Sequence, residues 1–136
     1  MIYKSYIIEQ NIAPALKHKM FLFYGENEGL KKEFKQIIEN NIKKLNILRL
    51  YQEEVIKDKN ILFNEILNKS LFEEKKVIFI EQANDKILNI VEELIDKIED
   101  EKIFIFSGIL DKKSKIRSYF EKTNDVGISA CYLDNE

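Results

Sequence analysis

The chain contains a single cysteine, Cys131, and a single histidine, His18. One thiol excludes a disulfide framework and a cysteine cluster for a metal, and one imidazole excludes a zinc site built on histidines. No metal or cofactor is therefore expected. One proline and four glycines leave little room for flexible linkers, so residues 1–136 read as one compact domain. Arginine is confined to Arg49 and Arg117. The 22 basic and 24 acidic side chains leave a formal charge of −2, which argues against a surface that grips nucleic acid everywhere and leaves room for a local basic patch. The start, Met1-Ile2-Tyr3-Lys4, has no basic stretch leading into an apolar one as a signal peptide would. No uncharged apolar run approaches the roughly 20 residues that span a bilayer. No membrane partner is expected, and a soluble protein of the reducing cytoplasm is.

What the chain does have is five short apolar runs: Met20 to Tyr24, Ile47 to Tyr51, Val77 to Ile80, Ile103 to Phe106 and Ile128 to Leu133. The third and fourth are nearly continuous β-branched and aromatic residues, the pattern of strands covered on both faces. Between the runs lie stripes of helical period: Leu30, Phe34, Ile37, Ile38 and Ile42; Ile87, Val91, Leu94, Ile95 and Ile98; and the shorter Ile116, Tyr119 and Phe120. Strand and helix in alternation predict a three-layer α/β/α domain with a mostly parallel, five-stranded sheet. Ile2 to Ile8 reads as a further edge strand at most, and Pro14 as the start of a short helix.

In an open parallel sheet, ligands bind beyond the carboxyl ends of the strands. The first such end reads Phe23-Tyr24-Gly25-Glu26-Asn27-Glu28-Gly29-Leu30, where a phosphate-binding loop would stand. The loop is too short, the Lys-Ser/Thr pair is missing, and Glu26 and Glu28 place negative charge where a phosphate would sit. Gly25 and Glu26 thus mark a degenerate nucleotide site. After the third run, Glu81-Gln82 is a poor stand-in for a magnesium-holding aspartate; a hydrogen bond within a loop suits Glu81 better. Ser107, after the fourth, reads as a helix or turn cap. A receiver domain would need a phosphoacceptor aspartate after strand three and a lysine where Asp134 stands, and both are missing. Cys131 reads as a small buried hydrophobe, and His18, between Lys17 and Lys19, as a solvated side chain.

Asn60 to Phe72 reads NILFNEILNKSLF. Ile61, Leu62, Ile66 and Leu67 suit the core face of a short helix ending near Asn68 or Lys69. Ser70, Leu71 and Phe72 then precede the charged run Glu73 to Lys76. Leu71 and Phe72 either plug the helix onto the sheet or project as an apolar anchor for another protein; spacing alone leaves both open. Lys112, Lys113, Lys115 and Arg117 open the last helix, with Asp111 or Ser114 as its cap. Cations at that end oppose the helix dipole, so the four are candidates for DNA contact, with ordinary solvation as the alternative.

Phe-Tyr-Gly-Glu-Asn-Glu opening a helix, Ser70-Leu71-Phe72 before a hydrophobic strand, Glu81-Gln82-Ala83, Ser107-Gly108 and Leu110-Asp111-Lys112-Lys113-Ser114-Lys115 fall in an order and spacing that resembles the bacterial DNA polymerase III delta subunit, the clamp-opening arm of the clamp loader. The resemblance covers residues 20 to 117. It implies an N-terminal domain like an AAA+ module whose nucleotide site has decayed. It also implies no enzymatic activity of its own and an accessory role in DNA replication. Leu71 and Phe72, with Ser70 beside them, would enter a hydrophobic pocket on the β sliding clamp and help open the ring. The other clamp-loader subunits and DNA would be met in the assembled complex, through the helical lid and collar that a complete delta subunit adds and this chain lacks. The competing function is a nucleotide-binding hydrolase or kinase with an atypical phosphate loop.

Overall fold

The computed structural model describes residues 1–42, 47–67 and 76–133. The strands are β1 (Ile2–Tyr3), β2 (Met20–Tyr24), β3 (Ile47–Tyr51), β4 (Val77–Ala83), β5 (Lys102–Ser107) and β6 (Val126–Ala130). They form one sheet in the order β1-β6-β2-β5-β4-β3, with each neighbouring pair parallel. The helices are α1 (Ser5–Gln10), α2 (Ala13–Leu16), α3 (Glu28–Asn40), α4 (Gln52–Lys57), α5 (Asn60–Leu67), α6 (Leu88–Leu94) and α7 (Lys115–Lys122). The α/β fold with a parallel sheet is as expected, but the sheet has six strands rather than five. Ile2–Tyr3 pairs with Ile128 and Ser129 at the edge, while the rest of the expected edge strand coils into α1. The last strand starts earlier than its apolar run, at Val126, and is finished before Tyr132 and Leu133, which are exposed.

Because alternate strand residues face opposite sides, the apolar runs sort themselves by chemistry. Met20, Leu22, Ile78, Ile80, Ile103, Ile105, Val126 and Ile128 face one layer, where Val55, Leu62, Phe63, Ile66, Val91, Leu94, Ile116 and Phe120 pack on them. Phe21, Phe23, Phe79, Phe104 and Phe106 face the other, against Ile8, Ala15, Phe34 and Ile38. This second face is an aromatic stack: Phe23 lies 4.7 Å from Phe21, 4.9 Å from Phe34 and 5.4 Å from Phe106, centroid to centroid. Gly127 makes the stack possible, since a Cβ there would run into the Phe21 ring.

Local departures from the sequence reading have physical reasons. In α5 the core face is Leu62, Phe63 and Ile66, whereas Ile61 is exposed. The stripe from Ile87 to Ile98 does not form one helix. It enters through a 3₁₀ turn at Asp85–Ile87 and ends at Leu94, yet Ile87, Val91, Leu94 and Ile98 are all buried. His18 is buried rather than solvated. Its Nε2 lies 2.8 Å from the Tyr3 hydroxyl, and its ring packs edge-on to Tyr3. Burial, then the positive charges of the amino terminus and Lys17, lower its pKa, with the Asp125 backbone acting the other way.

Two outcomes follow from this packing. Phe23→Ala should cost about 3–5 kcal/mol of stability in urea unfolding, because it empties the centre of the aromatic stack. For His18, a folded-state pKa below the unfolded value of about 6.5 means that the unfolded chain takes the proton first. The neutral ring's contribution is present above that pH and is lost as pH falls through it. Melting temperatures between pH 7.5 and 5 should therefore fall more steeply for the native chain than for His18→Gln.

Candidate functional site

The carboxyl ends of β2, β5 and β6 meet at the Gly25 turn. Gly25 adopts φ 123°, a conformation that L side chains avoid, and the chain needs it there for a second reason. The segment after β6 crosses directly over the turn, and a Cβ on Gly25 would run into the Cys131 carbonyl. Three of the turn's amides are occupied from within: Gly25 N–H donates to the Gly108 carbonyl (2.9 Å), Asn27 N–H to the Cys131 carbonyl (3.0 Å) and Glu28 N–H to the Glu26 carbonyl (3.0 Å). Asn27 caps α3, its Oδ1 accepting from Leu30 N–H at 3.0 Å while its Nδ2 donates to the Tyr132 carbonyl. Glu26 accepts from Leu133 N–H at 3.0 Å.

Where a phosphate-binding loop would point a lysine outward, Lys31 turns in. It is 4% exposed, and its Nζ donates to Glu28 Oε2 (2.6 Å) and to the Ser107 carbonyl (2.8 Å). Lys31 was not singled out from the sequence, although its spacing to Phe34 and Ile38 places it on the buried face of α3. Gly25 and Glu26 thus belong to a turn whose donors, carboxylates and nearest cation already serve one another. An incoming phosphate would have to displace protein carbonyls and face Glu26 and Glu28.

The neighbouring strand ends are tied in the same way. Glu81 pairs with Lys35 at 2.6 Å, and the Lys35 ammonium sits 4.6 Å from the centre of the Phe106 ring. Gln82 then takes a left-handed φ of 53° at an irregularity in the pairing of β4 with β5, a strained conformation for a residue with a side chain. Ser107 is not a cap. It is buried, and its Oγ donates to the Ala83 carbonyl at 2.7 Å, stapling β5 to β4. Cys131 is fully buried, and burial pushes its thiol up to about 12, so it stays protonated and inert.

The last helix is capped as expected by Ser114, whose Oγ accepts from Arg117 N–H at 3.3 Å. A second cap comes from across the rim. Asp85 accepts from Ser114 Oγ (2.6 Å), Lys115 N–H (3.2 Å) and Ile116 N–H (3.1 Å). Desolvation opposes its charge, but these hydrogen bonds prevail and lower its pKa. Nothing in the sequence marks Asp85, because its partners lie about thirty positions away and only the fold brings them near. Of the four basic residues expected at this end, Lys112, Lys113 and Lys115 are exposed. Arg117 is not one of that exposed set. Its guanidinium lies 5.2 Å from the Tyr24 ring, donates to the Leu110 carbonyl at 2.9 Å and pairs with Glu121 at 3.2 Å.

Ser70, Leu71 and Phe72 lie outside the described residues, as does Asp134. Both flanks of residues 68–75 are described and anchored. On one side α5 buries Leu62, Phe63 and Ile66. On the other, Lys76 donates from Nζ to the Glu65 carbonyl at 2.8 Å and contacts the Glu65 carboxylate at 3.3 Å, while its own carbonyl accepts from Lys102 N–H. Among the described residues there is no group of three or more metal-ligating side chains placed to hold an ion, and no helix long and apolar enough to cross a membrane.

The Gly25 turn allows a direct check. Gly25→Ala should cost about 1–3 kcal/mol, from backbone strain alone, and more once the Cys131 carbonyl is displaced. The shift of the urea midpoint measures it.

A family model described as DNA polymerase III, delta subunit, matches residues 21–134. Among solved structures, the chain is similar to the Bacillus subtilis DNA clamp loader delta protein (YqeN), with a TM-score of 0.72 and 14% sequence identity. The match covers 96% of this chain and 43% of that one, so the chain spans less than half of that protein's length. At such identity the likeness is one of fold. No curated protein matches the chain in sequence.

Proposed function

This chain belongs to the DNA polymerase III delta subunit family, and from that premise we propose that it docks on the β sliding clamp and helps open it for loading on DNA, without itself binding ATP. The delta subunit is an accessory part of the polymerase rather than its catalyst. In this reading Leu71 and Phe72, with Ser70 beside them, form the anchor, and the protein acts in the cytoplasm. The other clamp-loader subunits are met through the part of the family protein that lies beyond this chain.

The observation that carries the reading is the anchoring of the chain on either side of residues 68–75. Among the described side chains of α5, Leu62, Phe63 and Ile66 are buried against the sheet. Lys76 then brings the two flanks together, joining positions eleven apart in sequence. Tethering its flanks in this way would lower the entropy that an anchor between them has to lose on binding. The ATP-free part of the proposal is supported by the occupied amides of the Gly25 turn and by the inward Lys31.

The work is conformational. Burying a leucine and a phenylalanine together removes roughly 250–350 Å² from water, on the order of 6–9 kcal/mol before the cost of association is subtracted. Such an anchor biases the ring toward an open form only by the difference in its affinity for the two forms.

Phe72→Ala should weaken clamp binding by about 2 kcal/mol or more in titration calorimetry, with the melting temperature unchanged. Normal binding by the variant removes Phe72 as the anchor, and an unfolded variant makes it a core residue. In parallel, ATP with magnesium should leave the melting temperature where it is. A rise would favour a nucleotide-binding enzyme instead.

A further inference from the structure

The carboxyl rim of the sheet carries a second surface that the clamp anchor does not use. The chain leaves β4 through Asn84, Asp85 and Lys86, and leaves β5 through Gly108, Ile109 and Leu110 on its way to Ser114. The two connections enclose a groove of about 480 Å³, with Asn84, Lys86, Ile109, Leu110 and Lys113 in its lining. Leu110 is 8% exposed and forms the floor, whereas Ile109 is 73% exposed, the most open large apolar side chain among the described residues.

The charges around this groove are unbalanced. Its two carboxylates are both engaged on the protein itself: Asp85 holds the Ser114 hydroxyl and the Lys115 and Ile116 amides, and Asp111 accepts from Lys113 N–H at 2.8 Å. Lys86, Lys112, Lys113 and Lys115 are all exposed, and none forms an ion pair among the described residues. Lys112 and Lys113 precede the Ser114 cap and Lys115 opens α7, where a cation opposes the helix dipole, although Lys115 also favours the Asp85 carboxylate. The helix end is already closed by Ser114 and Asp85. What faces solvent is therefore an exposed isoleucine in a groove lined by Lys86 and Lys113, with Lys112 and Lys115 exposed nearby in sequence.

We propose that this groove docks an acidic segment of a partner protein, one that presents an aliphatic side chain flanked by carboxylates. The aliphatic group covers Ile109 and reaches Leu110, and the carboxylates meet Lys86 and Lys113, with Lys112 and Lys115 extending the positive field. An aliphatic centre favours a protein over a nucleic acid, since no aromatic ring lines the groove for a base to stack on. The chain's overall charge of −2 also works against a long polyanion more than against a short acidic segment.

The test uses the 136-residue chain and a fluorescent hexapeptide of alternating glutamate and leucine, read by anisotropy. Saturable binding that weakens with salt is expected. The double variant Lys86→Glu, Lys113→Glu should lose about tenfold or more in affinity, and Ile109→Ser about fivefold. Melting temperatures should be unchanged, because the three side chains are exposed. A control peptide with lysine in place of glutamate should not bind. Absence of binding overturns the proposal, as does indifference to Ile109→Ser, which would reduce the surface to general attraction. Binding of a single-stranded oligothymidylate through the same lysines, with no peptide binding, would replace it with a phosphate-contacting surface. Phe72→Ala should leave peptide binding intact, so failure of the clamp reading and failure of this one are distinguishable.

Discussion

The backbone following β6 lies flat on Gly25, and the carboxyl rim takes its character from that contact. Only a residue without a Cβ, at φ 123°, lets the Cys131 carbonyl come so close. Once there, that carbonyl takes the Asn27 amide, and the extended segment beyond it delivers the Tyr132 carbonyl to Asn27 and the Leu133 amide to Glu26. The turn that heads α3 is thereby folded onto its own protein. In the phosphate-binding version of this architecture, the same amides and a neighbouring lysine would be left for a ligand. Here Lys31 pairs with Glu28 and donates to the buried Ser107 carbonyl at the end of β5 instead, so the turn is tied to its own protein.

The rim depends on the sheet beneath it being rigid, and burial on both faces supplies that. The central strands present mainly aliphatic side chains to one layer and phenylalanines to the other, and both layers are close-packed against helices, which resists repacking. Side chains then tie the strand ends to one another: Ser107 to Ala83, Lys35 to Glu81, Asp85 to the start of α7. The strain at Gln82 persists because these ties surround it.

A single strand, β4, separates the proposed anchor from the proposed groove. Lys76, at its amino end, clips the flanks of the connection that bears Leu71 and Phe72. Asn84 to Lys86, at its carboxyl end, form one wall of the lysine-ringed groove. A parallel strand places its preceding and following connections at opposite ends of the sheet. The two proposed surfaces therefore lie at opposite ends of the sheet.

Fold class, strands β2 to β5, the α3 stripe and the Ser114 cap were legible in residue order alone, because each depends on a period of two or near 3.6 or on a neighbour a few positions away. The departure of the Gly25 turn from a phosphate-binding loop was legible too, since Glu26, Glu28 and the missing Lys-Ser/Thr pair are local features. What Ser107, Arg117 and His18 do was not. Ser107 meets a carbonyl on another strand, Arg117 bends back over Tyr24, and His18 enters the interior through space that Gly127 leaves open. Each depends on partners far away in sequence, whose proximity exists only once the sheet is assembled. The tie between Asp85 and α7, and the groove that sets Lys86 and Lys113 beside Ile109, were decided at the same level, because strand order alone brought the ends of β4 and β5 side by side.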